Sequence, residues 1–322
     1  MQERLSDNLI FFNFYRVKIM SLFKRIKKHP RVTRVRRYLV YLAALGFLSL
    51  ARHLSWEQIV SWGRRFGRLG FRRVKYGRKL TLDNLIRVFG EELTEEEILG
   101  IAERVYQNMV VTALEFPRMS SMSDHEFFRL VDYEEEDIQS LRDLLKRKRG
   151  AIFASAHMGN WEMLAGLGGR LGFKMSILFK PSTNPYLNRI WFSLRSRNRL
   201  IDITKNLALV SKRLRANEVV CILFDENARS RGVKIPFFGR PASTYRGPAY
   251  FALRTRSPIA CAYFIRLEDG RHRLIVERII EPVCTGDLEK DIITVMTEMN
   301  RSLEKMIREY PDQWNWVYKR WS

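Results

Sequence analysis

The sequence is poor in cysteine. Only three of its 322 residues are cysteines, Cys221, Cys261 and Cys284. They lie far apart and lack C-x-x-C spacing, which argues against a disulfide framework and against a cysteine-based zinc site. We therefore expect reduced, buried thiols and no metal site.

Acidic residues are scarce beside basic ones. The chain has 35 Asp and Glu against 57 Lys and Arg, a formal net charge of +22. This excess favours anionic partners: nucleic acid, an acidic membrane surface, or acidic proteins and phosphorylated substrates. Hydrophobic residues make up 46% of the chain and aromatics 12%, which excludes a disordered protein.

A hydrophobic run long enough to span a bilayer is missing. The apolar stretch "YLVYLAALGFLSLA", residues 38–51, is shorter than the roughly 20 residues that a spanning helix needs. It directly follows "KRIKKHPRVTRVRR", residues 24–37, which has eight Lys or Arg and no acid. We predict a basic N-terminal arm over residues 1–37 and a membrane-anchoring helix over residues 38–54, with the basic flank in the cytoplasm. A buried core helix is the alternative, and whether the anchor spans or only inserts into the bilayer stays open.

We expect no cleaved signal peptide at the N-terminus, because its basic region is long and no A-x-A-like cleavage site follows. A start at Met20 would make residues 1–19 an extension.

The rest of the chain divides by pattern. Apolar residues at helical spacing predict a helical region over residues 55–145, including a helix that starts with a Thr94/Glu97 capping box. From residue 146 to 322, short β-rich runs alternate with amphipathic stretches. The predicted strands are 151–156, 174–180, 218–225, 259–266 and an edge strand, 272–279. The predicted helices are 160–171, 184–199, 205–216, 246–256 and 287–309. This alternation predicts an α/β core, with a mixed, largely parallel sheet flanked by helices.

Several catalytic motifs are absent: G-x-S-x-G, the Walker A loop and H-E-x-x-H. The sequence does contain "SAHMGNWE". Its histidine, His157, follows a predicted buried strand, the position where α/β proteins place their catalytic groups. Glu162 lies five positions later and can meet His157 only if His157 sits on a turn and Glu162 in the first helical turn. A carboxylate bonded to one imidazole nitrogen would leave the other to act as general base. The alternative is a structural role for both residues: His157 as a buried histidine with its hydrogen bonds made inside the protein, and Glu162 as an acidic residue at the N-terminus of a helix.

Three blocks in order carry a family resemblance. "SAHMGNWE" matches the H-x4-D/E signature of the lysophospholipid acyltransferase superfamily. With "FDENARSRGVKIPFFGRPASTYRGPAYFALRT" (224–255) and "YPDQWNWVYKRW" (310–321), the chain resembles the bacterial lipid A biosynthesis late acyltransferases, the lauroyl/myristoyl family. It departs from that family at Tyr318, where a histidine is usual.

The resemblance implies transfer of a fatty acyl chain from an acyl carrier protein thioester to a hydroxyl of a lipid A precursor. It assigns His157 as base, Glu162 as its partner and Arg195 as a further catalytic residue, with Arg197 as the substitute. The reaction that the resemblance implies needs no metal, and no cofactor beyond the acyl carrier protein donor. The substrate-binding candidates are Asn160, Arg197, Asp225 and Thr244.

The implied partners are an acidic acyl carrier protein, a phosphorylated glycolipid and the membrane, and no nucleic acid. The implied location is the cytoplasmic side of the inner membrane. "IPFF" (235–238) and the segment 191–192 are candidates for the acyl groove.

Two alternatives stay open. The same chemistry could serve another glycolipid or a lysophospholipid, with acyl-CoA as donor. A basic nucleic-acid-binding protein also fits the charge, although no recognised binding motif accompanies it.

Overall fold

The computed structural model describes residues 30–75 and 77–321. The proposed start at Met20 and most of the basic arm lie outside these residues. Helix α1 runs from Pro30 to His53, so the described end of the basic arm and the apolar segment lie in one continuous helix. Among the described helices, none combines the length and apolar character that a bilayer crossing requires.

Three further helices pack beside α1: α2 (Trp56–Arg73), α3 (Arg78–Phe89) and α4 (Glu95–Ser121). The capping box at the start of α4 is confirmed, since the Thr94 hydroxyl accepts from the Glu97 N–H and the Glu97 carboxylate accepts from the Thr94 N–H. Helices α2 and α4 approach closely at Gly67, where a Cβ atom would lie 2.3 Å from the Cα atom of Gln107. A larger residue at this position would push the helices apart.

A seven-stranded sheet forms the α/β core. Its strands are β1 (Val131–Asp132), β2 (Ala151–Ser155), β3 (Met175–Phe179), β4 (Arg199–Asp202), β5 (Val219–Leu223), β8 (Ile259–Arg266) and β9 (His272–Ile280). They follow the order β1-β9-β8-β2-β5-β3-β4, and all neighbours are parallel except β8 and β9. The prediction of a mixed, largely parallel sheet is confirmed.

Helices cover the sheet, as its alternating sequence predicts. They are α5 (Asp124–Phe128), α6 (Glu135–Lys146), α7 (Trp161–Arg170), α8 (Pro185–Leu194), α9 (Ala208–Arg215), α10 (Gly247–Thr255) and α11 (Leu288–Glu309). A separate antiparallel hairpin joins β6 (Val233–Phe237) and β7 (Arg240–Thr244).

Two local predictions were wrong and one element was missed. Helix α8 ends at Leu194 rather than at residue 199, and the next residues form β4, which pairs in parallel with β3. The hairpin β6–β7 was not predicted. Strand β9 is not a free edge along its whole length, because β1 pairs with its first residues. The errors at α8 and β9 concern pairings with segments distant in the sequence, which local periodicity does not reveal, whereas the hairpin pairs two adjacent segments.

The central strands set the position of the site. In the parallel pair β2–β5, Ser155 lies opposite Leu223. Residues that follow these two strands by the same number of positions therefore emerge side by side at the carboxyl edge of the sheet. His157 and Asp225 are such residues.

Candidate active site

His157 is bound to Asp225, not to Glu162. The Nδ1 atom of His157 lies 2.9 Å from Oδ1 of Asp225, and the backbone N–H of His157 donates to Oδ2 at 2.9 Å. In the described residues no hydrogen bond joins His157 to Glu162. The expectation of a direct His157–Glu162 pair is corrected here, since the neighbouring strand supplies the carboxylate.

The Asp225 carboxylate is saturated with donors. Its Oδ2 atom also accepts from the indole N–H of Trp314 at 2.9 Å and from the hydroxyl of Tyr318 at 2.5 Å. Asp225 itself has no exposed surface. An ionised carboxylate only accepts hydrogen bonds, so Nδ1 of His157 carries the proton and Nε2 is left as the unprotonated nitrogen.

The electrostatics of the pair agree with this geometry. Burial alone would lower the pKa of His157, but the charge of Asp225 and its hydrogen bond raise that pKa above the usual value. Glu226 and Glu162 add to the increase. Burial would raise the pKa of Asp225, and the opposing charge and hydrogen bonds from His157 hold it far below its usual range. The imidazolium form is therefore stabilised once a proton is taken up.

Glu162 pairs with Arg195. Glu162 lies in the first turn of α7, and its Oε2 accepts from Nε of Arg195 at 2.9 Å while its Oε1 accepts from Nη2. The guanidinium carbon also lies 5.6 Å from the ring centroid of Phe116 and 5.2 Å from that of Trp191. Arg195 follows the last residue of α8 and its side chain is 18% exposed, so it is not part of a solvated helix face. A bidentate pair of this kind fixes the guanidinium in one orientation.

Three of the predicted substrate-binding residues, Asn160, Asp225 and Thr244, have no exposed surface, and each bonds to protein groups. Asn160 caps α7 by accepting from the Met163 N–H. Thr244 accepts from Nη2 of Arg320 at 2.7 Å.

Arg197 is the exposed member of the predicted set. Its side chain is 49% exposed and lies 3.3 Å from Asp124. It lines a small cavity together with Glu162, Arg170 and Arg195.

A buried ion pair behind the site was not predicted. Arg266, at the end of β8, donates to Oε1 of Glu115 at 3.0 Å and to Oε2 at 2.5 Å, and it also binds Asn108 and Thr112. Asn160 donates to the same Glu115 carboxylate at 2.8 Å. Charges on α4 and β8 thus hold the cap of the helix that presents Glu162. In the sequence, Glu115 stands inside an apolar helical run and Arg266 ends an apolar strand run, which was the available signal.

The C-terminal segment completes the site. Trp314 and Tyr318 both bind Asp225, so the residue that departs from the family pattern still contacts the core of the site. Of the proposed acyl-groove residues, Ile235 and Phe237 are fully buried in the core, whereas Trp191 and Phe192 are exposed. The groove assignment to residues 235–238 is therefore not supported for its two buried members.

Fold and site together define an α/β enzyme with a histidine oriented for acid–base chemistry. A sequence model of the family described as bacterial lipid A biosynthesis acyltransferase matches residues 25–322. The chain therefore belongs to the bacterial lipid A biosynthesis acyltransferase family, and it is an O-acyltransferase. Membership of this family decides between an enzyme and the nucleic-acid-binding alternative in favour of the enzyme.

Individual relatives support the same family. The chain is 26% identical to the lipid A biosynthesis lauroyltransferase of Escherichia coli (strain K12), over 88% of this chain and 92% of the relative. It is 23% identical to the palmitoleoyltransferase of the same organism, over 92% and 94% respectively. A phosphatidylinositol mannoside acyltransferase of Mycobacterium tuberculosis (strain ATCC 25618 / H37Rv) is 27% identical over 43% of this chain and 46% of its own length.

Proposed function

We propose that this protein transfers a fatty acyl chain from an acyl carrier protein thioester to a hydroxyl of a lipid A precursor. The observation that carries the proposal is the orientation of His157 by Asp225, which leaves Nε2 as a base within a chain of this family.

The reaction follows from that orientation. Nε2 of His157 removes the proton from the acceptor hydroxyl as the oxygen attacks the thioester carbonyl carbon. The tetrahedral intermediate collapses, the C–S bond breaks, and the carrier leaves as a thiol after taking the proton from His157. Asp225 stabilises the imidazolium between these two transfers, as the orienting carboxylate does in catalytic triads.

Arg195 is the proposed electrostatic group. Glu162 fixes its guanidinium through two of its nitrogens. Its remaining N–H groups are assigned to the oxyanion of the intermediate or to a phosphate of the substrate. Glu162 thus acts on the reaction through Arg195, while Asp225 acts through His157.

Surface chemistry supports a membrane location. Helices α1 and α2 expose large apolar side chains beside many arginines: Leu39, Leu42, Phe47, Leu50, Trp62, Phe66 and Leu69. Apolar and basic groups together suit the surface of an anionic bilayer. We assign the protein to the cytoplasmic side of the inner membrane, where an acidic acyl carrier protein would be attracted by the same positive charge.

The test is acyl transfer by the full-length protein in detergent. Labelled acyl-acyl carrier protein is incubated with a tetra-acylated lipid A precursor and with the wild type, His157→Ala or His125→Ala. His125 is an exposed histidine of α5 and serves as the matched control. We expect product with the wild type and the control and none with His157→Ala. Near-normal transfer by His157→Ala would overturn the mechanism.

Other donors and acceptors form separate arms of the assay. Acyl-CoA replaces the carrier protein in one arm, and a phosphatidylinositol mannoside replaces the acceptor in another, because a relative of that name matches part of the chain. Faster transfer in either arm would reassign the donor or the acceptor while leaving the base unchanged.

A further inference from the structure

A cleft of about 800 Å³ lies between helices α1, α4 and α8. The Tyr41 and Tyr186 rings, 5.8 Å apart, and a hydrogen bond from Asn184 to the Arg37 carbonyl hold α1 against the segment that begins α8. The catalytic assignments above do not use this cleft. Its size is ample for a lipid headgroup and the first part of its chains.

The polar lining of the cleft is basic. Arg52, His53, Arg118 and Arg189 line it, and no acidic residue among those the structure describes does. Arg118 lies 3.1 Å from Glu126. Arg52 and Arg189 are exposed, and within residues 30–75 and 77–321 neither has an ion pair or a hydrogen bond from its side chain. Two unpaired guanidinium groups facing one cleft are the chemistry that binds a phosphate.

The remaining lining is apolar. Tyr41, Leu45 and Leu48 come from α1, and Ile190 and Leu194 come from α8. A free phosphate or a nucleotide would leave this apolar lining without a partner, whereas an amphiphile with an anionic head matches both parts of the cleft.

The cleft borders the small cavity that contains Glu162 and Arg195, and α8 lines part of both. Leu194 lines both this cleft and the small cavity that contains Glu162 and Arg195. Arg195 directly follows Leu194 and ends the same helix. A ligand held in the cleft is therefore held near Arg195, one of the residues assigned to the reaction.

We infer that this cleft binds a phosphate group of the glycolipid acceptor through Arg52 and Arg189, with the apolar wall against its acyl chains. This inference rests on the proposed function for the identity of the acceptor. It goes further by assigning a headgroup site to α1, a helix that sequence patterning marks only as an anchor.

The test is a binding measurement that needs no turnover. Full-length protein in detergent is titrated with the tetra-acylated lipid A precursor and with the same lipid after removal of its phosphates. The variant Arg52→Gln/Arg189→Gln is compared with Arg142→Gln/Arg215→Gln. The second pair removes the same charge from exposed positions on α6 and α9.

We expect Arg52→Gln/Arg189→Gln to weaken binding of the phosphorylated lipid by about 10- to 100-fold, since it removes two charge-assisted contacts. The same variant should bind the dephosphorylated lipid within about two-fold of the wild type. The control variant should bind both lipids within about two-fold of the wild type. Equal loss for both lipids, no loss for either, or a wild type that does not discriminate between them would overturn the assignment.

Two further readouts separate the alternatives. Sedimentation with phosphatidylglycerol and phosphatidylcholine vesicles tests a membrane headgroup as occupant. A defect on phosphatidylglycerol vesicles without a defect on the phosphorylated acceptor would overturn the acceptor assignment. Transfer assays on the wild type test the proposed function separately, because absent transfer there does not depend on Arg52 or Arg189.

Discussion

Replacing Asp225 with Asn tests the central feature of the site. Oδ2 of Asp225 accepts three hydrogen bonds, from the His157 backbone, Trp314 and Tyr318, while Oδ1 accepts one within the described part of the chain, from Nδ1 of His157. The amide of Asn must place its NH2 group at one of the two oxygen positions. At the Oδ2 position it would meet three donors, so it is forced to the Oδ1 position and donates to His157.

The consequence is the wrong tautomer. With Nδ1 as acceptor, the proton moves to Nε2, which can then no longer take a proton from the acceptor hydroxyl. Positioned general-base catalysis is worth about 10²- to 10⁴-fold, so we expect kcat to fall by that factor, or about 3–5 kcal/mol in the barrier. Loss of the negative charge should also lower the pKa of His157, because Asp225 is the main group that raises it.

The assay is acyl transfer measured across pH. The wild-type rate should increase as His157 loses its proton, with a midpoint above the usual pKa of histidine because that pKa is raised. In Asp225→Asn the residual activity should show this increase at lower pH. Tyr318→Phe is the control, since it removes one donor from Oδ2 and leaves the Nδ1 contact in place. A kcat within about three-fold of the wild type and an unmoved midpoint in a folded Asp225→Asn protein would refute the reasoning.

Three further predictions concern charge. Arg195→Ala should reduce the transfer rate at least about ten-fold through loss of a fixed cation, and an unaffected rate would move the role to Arg197. Glu115→Gln leaves the charge of Arg266 buried without a counter-charge, so chemical unfolding should show a loss of about 3–5 kcal/mol, and unchanged stability would count against the buried pair as described. Increasing salt from about 50 to 500 mM should increase KM for the carrier protein with kcat unchanged, and a salt-independent KM would argue against electrostatic capture.

Much of the α/β core was predictable because its strands are short apolar runs. Residues 151–156, 218–225 and 259–266 were predicted as strands, and β2, β5 and β8 occupy these positions within one or two residues. Strand β4 was not predictable in this way, since its sequence "RLID" is amphipathic and its pairing with β3 decides its conformation. The hairpin β6–β7 contains Pro236 and Pro241, which weaken a local strand signal.

The thiols and the apolar segment 38–51 were likewise predictable only in part. Cys221 and Cys261 are buried as expected, and burial raises the pKa of each to about 12, whereas Cys284 is exposed. The apolar segment 38–51 is helical as expected, but the helix starts at Pro30 and lies against α4 and α8. Composition indicates which segments avoid water, and it does not indicate which neighbour covers them.

The sequence by itself determined the basic character of the protein, the α/β core and the place of His157 after a buried strand. Each of these depends on composition or on periodicity within a few residues. Only the tertiary structure decided that Asp225 orients His157, that Glu162 holds Arg195 and that Asn160 and Thr244 are buried. His157 and Asp225 meet because β2 and β5 are neighbours in the sheet, and strand order is set by pairing between distant segments, which no local pattern encodes.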